Sequence, residues 1–577
     1  MGRTRRRACA RSSDGRADDI GRPALATSPY TVGIDFGTST TLLAEGLPAG
    51  GSDVVPIGHS EPWLPSVATL NGGSQLVVGE DAHLRSPASL ISSVKRAITT
   101  RHETISSPDG SVTANVDEVI TAILLEVARR ARDNQIDIAE EGAVRLGCPA
   151  MWDGDQRSRL LTLAQKAGFA VAASTLIDEP IAAGLMWINE QQRDRRYLDN
   201  DRVLVFDMGG GTLDVAVLDV TTGPGRDPQV YVLASNGVDE AGDRLDEAIA
   251  SDLERMLQDR GVLVSDQPNP PVARAYIQRA ATQAKIALTD LSSTDVHIDY
   301  GDGDLPHLSY TVGQLNDCLR PQMDRAWGLV ESTLRAALLT HESRWMPKGF
   351  RTTVGLRNLP MADLIETINH VVLVGGMSRI PGVARFLMER LPKSRVHTFP
   401  GDKSQGAIAA GLAEPIPYEQ VNLHLPGFDF VLDIPGRSPI TLYRAHTPFY
   451  RWWEAQTKAR VFYSWPEGKT AYEPAAARNL PQSGDATLRV VALDGSVVAM
   501  RGANEKDTNG LRINFGFRTP RFTLAPDGTM TFVDGHGHEQ RLRIERWPAL
   551  RSGQGKLLVR VEEARWVPDD RRAWDTK

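Results

Sequence analysis

Two segments of the chain share one pattern, and this duplication constrains the fold more than any other feature of the sequence. Residues 32–46, "VGIDFGTSTTLLAEG", and residues 205–220, "VFDMGGGTLDVAVLDV", both read as a strand, an aspartate, a glycine-containing turn with threonine, and a second strand. The chain has 577 residues, which is too long for a single hydrophobic core. The repeat therefore predicts two similar subdomains that face each other across a cleft.

The two turns carry groups that suit a phosphate and a metal ion. Residues 209–211 are consecutive glycines, which can adopt backbone angles closed to other residues and expose their N–H groups to an anion. Glycine-rich hairpin turns also occur for steric reasons alone, so this turn does not decide the matter by itself. Facing turns would present Asp35 and Asp207 to one magnesium ion, through water because magnesium keeps much of its hydration shell. Three hydroxyls would hold the phosphates: those of Thr38, Ser39 and Thr212.

The bulk composition excludes several classes of protein. The formal net charge of -7 gives no reason to expect a nucleic-acid partner, and the lack of a G-x-x-x-x-G-K-[ST] motif argues against a P-loop. Cys9, Cys148 and Cys318 are too few and too scattered for a disulfide framework or a zinc site. No apolar run is long enough to cross a bilayer. We therefore expect a cytoplasmic protein with neither a nucleic-acid nor a membrane partner.

The sequence divides into four parts. Residues 1–29 carry seven arginines without the apolar stretch of a secretory signal, and we expect a disordered tail or an upstream start codon rather than a nucleic-acid or membrane-surface element. In residues 30–413, β-like runs such as "RVLVFDMG" alternate with helical runs such as "VDEVITAILLEVARRAR", which predicts a mixed α/β fold. Residues 414–427 contain a proline-bearing linker. Residues 428–577 hold six of the eleven tryptophans and many turn signals, and they predict a separate all-β domain.

Five segments stand out in order along the chain: "GIDFGTST", "LGCPAMWDGDQR", "LIDEPIAAGL", "VFDMGGGTLDV" and "VVLVGGMSRIPGV". In this order they resemble the motifs of the actin-like ATPase superfamily and, within it, the 70-kDa heat-shock (DnaK-like) chaperones. The resemblance covers residues 30 to about 413 and implies a duplicated ribonuclease H-like, two-lobed nucleotide-binding domain. It further implies slow, Mg-dependent hydrolysis of ATP to ADP and phosphate, with nucleotide-controlled binding of a polypeptide.

The resemblance also implies roles for individual residues. Catalytic roles fall to Asp35, Lys95, Glu179, Asp207 and Thr212, with Asp214 behind them, and Asp35 and Asp207 would hold Mg²⁺ through water. Eleven residues would contact the nucleotide: Gly37, Thr38, Ser39, Gly209, Gly210, Gly211, Lys285, Thr289, Gly375, Gly376 and Arg379. Pro149 and Arg157 resemble the proline switch and relay arginine through which family members report the nucleotide state to the peptide domain.

Some of these positions have plain structural alternatives. "SSVKRAI" resembles the segment whose lysine orders the attacking water, yet a Lys-Arg pair on a helix is ordinarily a solvated face. Pro149 also fits an ordinary proline at the end of a strand. His536 and His538 suggest a metal pair, although exposed turn histidines are the simpler interpretation.

The sequence departs from the family pattern in several places. Ala241 precedes Gly242 where the family has a Gly-Gly pair, and "SQGAIAAGLA" lacks the acidic pair that is usual there. Residues 341–364 look like an inserted loop. Beyond the linker the resemblance to a peptide-binding β-sandwich is faint, and no long amphipathic helix follows it, so we expect no helical lid.

The leading interpretation is an ATP-hydrolysing, chaperone-like protein with a polypeptide client, a co-chaperone and a nucleotide exchange factor. The alternative is a nucleotide-gated adaptor or scaffold that has little ATPase activity and one dedicated protein partner. The added β domain disfavours a filament-forming actin relative, and the lack of a motif for a catalytic base disfavours a sugar kinase.

Overall fold

The computed structural model describes most of the chain up to residue 449 and shorter pieces beyond it. The described residues are 31–48, 50–72, 75–140, 142–299, 305–340, 359–401, 403–420, 425–449, 463–466, 484–493, 495–501, 507–515, 521–525, 528–533, 539–546, 550–551 and 558–563. The predicted tail 1–29, the two histidines at 536 and 538, and most of the predicted inserted loop lie outside them. Within these ranges, no helix is long and apolar enough to cross a membrane.

Residues 31–193 form lobe I. Its strands are β1 (Val32–Phe36), β2 (Thr40–Gly46), β3 (Ser52–Val55), β4 (Leu64–Pro65), β5 (Ala68–Leu70), β6 (Leu76–Val78), β7 (Thr104–Ser106), β8 (Thr113–Asn115), β9 (Val144–Cys148) and β10 (Leu176–Asp178). Its helices are α1 (Glu80–His83), α2 (Val94–Thr99), α3 (Val116–Asp133), α4 (Gly154–Lys166) and α5 (Glu179–Arg193). The main sheet has the order β10-β9-β1-β2-β3, with β4 beside β2.

Residues 201–420 form lobe II. Its strands are β11 (Asp201–Met208), β12 (Leu213–Gly223), β13 (Arg226–Val238), β14 (Ser293–Val296), β15 (Leu308–Thr311), β16 (His370–Val374), β17 (Arg395–Thr398) and β18 (Glu419–Gln420). Its helices are α6 (Gly242–Asp259), α7 (Pro270–Ala287), α8 (Val312–Thr340), α9 (Met361–Ile365), α10 (Pro381–Arg390) and α11 (Lys403–Ala413). The main sheet begins with the order β17-β16-β11-β12-β13.

The two main sheets repeat one topology, which confirms the duplication read from the sequence. In lobe I, β1 pairs antiparallel with β2 and parallel with β9, and β9 pairs parallel with β10. In lobe II, β11 pairs antiparallel with β12 and parallel with β16, and β16 pairs parallel with β17. Asp35 and Asp207, the aspartates of the repeated motif, therefore each lie near the end of the central strand of their sheet, just before the turn of a hairpin.

Local sequence signals explain where the helices begin. Helix α3 starts after Asn115, whose side chain accepts hydrogen bonds from the N–H groups of Asp117 and Glu118. Helix α4 starts after Asp153, which forms a reciprocal capping box with Gln156. The apolar faces of both helices are buried in the core of lobe I, whereas α5 and α11 pack against each other between the two main sheets.

In the described residues beyond β18, every regular element is a strand. The strands are β19 (Asp429–Asp433), β20 (Ile440–Tyr443), β21 (Tyr463–Trp465), β22 (Gly484–Val491), β23 (Val497–Arg501), β24 (Asp507–Thr508), β25 (Leu511–Phe515), β26 (Arg521–Leu524), β27 (Thr529–Val533), β28 (Glu539–Arg546), β29 (Leu550–Arg551) and β30 (Leu558–Glu563). All except β29 belong to one 11-stranded sheet. Phe430, Tyr443, Trp465 and Phe522 are buried in a core of its own.

The β-rich part contacts both lobes. The predicted linker lies against lobe II, where β18 pairs parallel with β13 and β29 pairs antiparallel with β18. On lobe I, Arg444 Nε lies 2.8 Å from Asp155 Oδ1, and the N–H of Gly154 donates to the carbonyl oxygen of Ala445 at 2.8 Å. Among the described residues, the β-rich part therefore docks at the start of α4 and at β18, which extends the edge of β13. Whether residues 428–577 form a separate domain stays a prediction.

Candidate functional site

All sixteen residues predicted to be catalytic or to contact nucleotide line a single cleft between the lobes. Its volume is about 570 Å³. Lobe I contributes the turn after β1, Lys95 of α2 and Glu179, the first residue of α5. Lobe II contributes the turn between β11 and β12, together with residues of α7 and of the segment after β16. The structure thus brings together motifs that are far apart in the sequence.

Close approach of the two turns, rather than a positive φ angle, distinguishes two glycines of the second turn. Residues 209–211 do not have the positive φ angles that would exclude other residues. Instead, the two turns approach each other so closely that a Cβ atom on Gly210 would lie 2.6 Å from Ser39 Oγ. A Cβ atom on Gly211 would lie 2.5 Å from Thr38 Oγ1. A Cβ atom at either position would therefore displace a hydroxyl of the facing turn, so close approach of the lobes, rather than backbone conformation, favours glycine at these two positions.

The chemical centre of the cleft is a buried group of carboxylates around one lysine. Lys95 Nζ donates a hydrogen bond to Glu179 Oε1 at 2.5 Å, and both side chains are at most 6% exposed. Asp35 and Asp207 line the same space, and Asp214 lies behind them, where its Oδ1 accepts a hydrogen bond from the N–H of Ala150 at 2.8 Å. The fold therefore gathers four carboxyl groups around one ammonium group at this centre.

This crowding shifts the pKa values of the aspartates upwards. Burial raises the pKa of Asp35 to about 7, with the charge of Glu179 adding to the effect and that of Lys95 opposing it. Burial and the charge of Glu179 raise the pKa of Asp214 to about 7 as well, and the pKa of Asp207 lies well above its ordinary value for the same reasons. Burial tends to lower the pKa of Lys95, but Glu179 and Asp35 outweigh it and raise that pKa. The centre therefore favours binding of additional positive charge.

The residues present fit a hydrated magnesium ion. Asp207 Oδ1 is buried and has no hydrogen-bond partner among the described residues, which is the state expected of an oxygen that faces a cation or its water. Carboxylate oxygens are the ligands that Mg²⁺ prefers. In the described part of the chain, no three His, Cys, Asp or Glu side chains converge as direct ligands, so water would complete the coordination shell.

The far end of the cleft has the lining expected for a nucleoside. Lys285 Nζ lies 2.8 Å from Asp246 Oδ1, and Thr289 follows one turn later on the same face of the chain. Gly375 has a φ of 81°, and a Cβ atom there would lie 2.4 Å from the carbonyl oxygen of Met208. Gly375 is therefore required both by its conformation and by its close approach to β11, and it brings Gly376 and Arg379 to the cleft.

Several lining residues were missed by reasoning from the sequence. They are Thr40, Leu42, Glu61, Trp63, Asp246, Thr282, Ile286, Asp290, Met377, Ile380, Gln405 and Ile408. Two of them had a usable signal in the sequence: Asp246 lies within the "DEAGDRLDE" segment, and Asp290 lies beside Thr289. Trp63 had none, because it lies on a loop whose course depends on tertiary packing.

Pro149 and Arg157 do not line the cleft, but they lie directly behind it. Arg157 Nη2 is 2.7 Å from Asp178 Oδ1, and Asp178 immediately precedes Glu179. Pro149 follows β9 and precedes Ala150, whose N–H is bonded to Asp214. Arg157 therefore binds the residue that precedes Glu179, and Pro149 precedes the residue that donates to Asp214.

The family of the chain follows from comparison with known proteins. A family model described as Hsp70 protein matches residues 31–343, which is more than half of the chain. The chain belongs to the Hsp70 family. Hsp70 proteins have an actin-like, ATP-binding nucleotide domain and are ATPases, so the resemblance drawn from the five motifs is confirmed at this level.

Individual Hsp70 relatives are distant. The chaperone protein DnaK of Thermosipho africanus is 27% identical over 395 residues, which is 67% of this chain and 58% of that protein. DnaK of Thermosipho melanesiensis is 27% identical over 400 residues, covering 66% of this chain and 60% of that protein. DnaK of Thermotoga neapolitana is 26% identical over 396 residues, covering 67% and 58%. The chain thus spans less than two thirds of the length of these relatives.

Proposed function

We propose that this Hsp70 protein binds ATP and ADP with Mg²⁺ in the cleft, hydrolyses ATP slowly, and uses the nucleotide state to control polypeptide binding by residues 428–577. The convergence of sixteen residues from separate motifs on one cleft carries the proposal. The functional division would be a tail at 1–29, a nucleotide-binding domain at 30–413, a linker at 414–427 and a β-rich domain without a helical lid. A polypeptide client, a co-chaperone and an exchange factor in the cytoplasm would be its partners.

The proposed chemistry is transfer of the terminal phosphoryl group of ATP to water. Backbone N–H groups of the two turns and the hydroxyls of Thr38, Ser39 and Thr212 would hold the phosphates. The Lys95 ammonium would offset charge on the transferring group, and Glu179 would orient the attacking water. Magnesium, when bound, supplies positive charge that offsets the charge of the phosphates. Placement and electrostatics of this kind account for most of the catalysis of phosphoryl transfer.

The proposed coupling to the β-rich part follows two routes, one hydrogen-bonded and one electrostatic. Gln420 of β18 donates to Asp178 Oδ2 at 3.5 Å, while Arg157 binds the other oxygen of the same carboxylate. His446 lies next to the docking residue Ala445, and burial, together with the charge of Arg157, lowers its pKa. A change around Glu179 therefore reaches both the linker and the β-rich part through Asp178 and Arg157.

Single-turnover hydrolysis tests the catalytic half of the proposal. The full chain, mixed with a substoichiometric amount of labelled ATP and Mg²⁺, should release phosphate, and the Lys95→Ala variant should release it at least ~100-fold more slowly. Lys166→Ala, at an exposed lysine of α4, is the matched control and should behave as the wild type. Failure of the wild type to bind adenine nucleotides in excess Mg²⁺ would refute the proposal.

One observation favours the adaptor as a second candidate. Gln405 stands in the connecting motif where the family has acidic residues, and its Oε1 is buried without a hydrogen-bond partner among the described residues. Tight nucleotide binding without phosphate release would support the adaptor. Peptide-array binding by the full chain, measured with ADP and with ATP, further distinguishes the chaperone-like ATPase from the adaptor. Equal binding in both nucleotide states contradicts nucleotide control.

A further inference from the structure

One aromatic side chain that lines the cleft takes no part in the proposed phosphoryl transfer. Trp63 lies in the loop before β4, is half-buried, and lines the cleft together with Leu42 and Ile408. Most of the other lining residues are glycines or carry hydroxyl, amide or charged groups. We name Leu42, Trp63 and Ile408 the tryptophan wall, because they form an apolar surface in a largely polar cleft.

The position of Trp63 is fixed by a strand and a helix. Strand β4 pairs antiparallel with β2, and Leu64 lies opposite Thr41. Because the same register continues by one step, Trp63 lies beside Leu42 and packs with it against α11. A Cβ atom on Gly58 would collide with the carbonyl oxygen of Trp63, so the turn before Trp63 is tightly packed as well. The indole ring is therefore held in place before any ligand binds.

The strand that carries Trp63 is also bonded to the turn proposed to hold the phosphates. The N–H of Ser66, which follows β4, donates to the carbonyl oxygen of Ser39 at 2.9 Å. The hydroxyl oxygens of Ser66 and Thr41 are 3.0 Å apart and form a buried hydrogen bond. Trp63 therefore keeps a constant position relative to the phosphate-binding turn of lobe I.

On its other side, the tryptophan wall borders the nucleoside end of the cleft. Ile408 belongs to α11, and Ser404 near the start of that helix lies 3.2 Å from Ser378, measured between the hydroxyl oxygens. Both hydroxyls donate to the carbonyl oxygen of Gly375, at 3.2 Å and 2.7 Å. Ser378 precedes Arg379, which lines the nucleoside end. The wall therefore lies between the phosphate turn and the nucleoside segment, where the sugar of a nucleotide would lie.

The chemistry of the indole suits a sugar. Among the described residues, the Trp63 N–H has no hydrogen-bond partner, whereas that of Trp152 donates to Thr99 Oγ1 at 3.0 Å. A tryptophan that is partly buried usually pairs its N–H. Trp63 thus offers an apolar face and one unused donor. A ribose offers the complement, because its carbon atoms form an apolar face and its oxygens accept hydrogen bonds.

We infer that Trp63 packs against the ribose of the bound nucleotide and is a further nucleotide-binding residue of the cleft. This inference rests on the proposed function, since it concerns the same cleft. Trp63 contacts the sugar alike in the ground state and in the transition state, so it strengthens binding of ATP and ADP without speeding the chemical step.

The test is a calorimetric titration of the full chain with ADP in excess Mg²⁺. Trp63→Ala should bind ADP about 10-fold more weakly than the wild type, because the sugar loses the apolar surface of the indole. In single-turnover hydrolysis at saturating ATP, its rate constant should stay within about 2-fold of the wild type. Trp63→Phe keeps an aromatic ring against α11 but lacks the N–H, so its affinity should fall only about 2- to 3-fold.

Intrinsic tryptophan fluorescence gives a second readout. ADP should change the emission of the wild type, and Trp63→Phe should lose at least about half of that change. Trp327→Phe is the matched control, because Trp327 lies on α8 against Phe386 and does not line the cleft. Its ADP affinity and its fluorescence change should equal those of the wild type.

Three results would each overturn the inference. They are an ADP affinity of Trp63→Ala within about 2-fold of the wild type, an undiminished fluorescence change in Trp63→Phe, and a rate constant of Trp63→Ala that falls as much as its affinity. The last result would show that Trp63 acts on the phosphate turn and not on the sugar. If the wild type binds ADP without hydrolysing ATP, affinity and fluorescence still decide. Absence of nucleotide binding by the wild type overturns the proposed function instead, so the two failures are distinguishable.

Discussion

Replacement of Lys95 by methionine should separate two consequences of its buried position. The Lys95 and Glu179 side chains are 4% and 6% exposed and 2.5 Å apart, so the substitution leaves a carboxylate without its cation in a site that already holds Asp35, Asp207 and Asp214. Removal of one partner of a buried ion pair typically costs about 3–5 kcal/mol of stability. We expect a loss of that order in the free energy of unfolding of the nucleotide-free protein at pH 8.

The same variant should be less destabilised at pH 6, because the carboxylates can then take up protons in place of the lost ammonium group. Urea unfolding at both pH values measures this difference, and single-turnover hydrolysis measures the loss of catalysis. The double variant Lys95→Met with Glu179→Gln is the control: it should regain much of the stability and remain inactive. The reasoning is refuted if Lys95→Met is as stable as the wild type at pH 8 or hydrolyses ATP within 5-fold of it.

Four further outcomes are expected. The folded-state pKa values of Asp35 and Asp214 are about 7, against 3.8 for the ordinary carboxyl group. Their contribution to the stability of the nucleotide-free protein should therefore be largest below pH 4 and be lost as pH rises through 7. Asp214→Asn should accordingly make the urea midpoint depend less on pH between pH 5 and 8. Gly211→Ala should weaken ADP affinity by at least ~100-fold in calorimetry with little change in the thermal midpoint, because the new Cβ atom would push Thr38 out of the facing turn. Gly223→Ala is the control: a Cβ atom there would enter open space, so neither the affinity nor the thermal midpoint should change. Gly411→Ala should destabilise the chain by about 2–4 kcal/mol in thermal unfolding, because the new Cβ atom would lie 1.8 Å from the carbonyl oxygen of Ala182 and force α5 and α11 apart; an unchanged midpoint would contradict that packing. Burial and the charge of Arg157 hold the pKa of His446 well below 6.5. Its contribution to the docking of the β-rich part on the lobes should therefore be full above pH 6.5 and be lost on acidification, which weakens docking about 10-fold at pH 5.5. Proteolysis near residues 414–427 should speed up on acidification more in the wild type than in His446→Gln.

Reasoning from the sequence was strongest where one residue type has few uses. The repeated Asp-Gly-Thr motif located both hairpins, and the spacing of apolar residues located α3, because a helix or strand must turn one face to a core. It also named sixteen residues that now line one cleft. Residues 209–211 lack the special backbone angles expected of them, and the close approach of Gly210 and Gly211 to the facing turn could not be read from either turn alone.

The position of the linker was also beyond the sequence. "AEPIPYEQ" has the composition of an exposed spacer, yet β18 extends the sheet of lobe II and Gln420 reaches Asp178. Main-chain pairing at a sheet edge depends on which edge is free, and no side-chain pattern of the linker itself reports that. Trp63, Asp246 and Gln405 joined the lining of the cleft for a similar reason, since each comes from a different element.

The sequence by itself determined the two lobes and most of the residues that face the cleft, because turns, strand ends and helix starts are set by short-range sterics and hydrogen bonding. Only the tertiary structure decided how near the two glycine turns lie and how one lysine shares a buried centre with four carboxylates. These features depend on the packing of two separate cores against each other, and the free energy of that packing is spread over residues far apart in the chain.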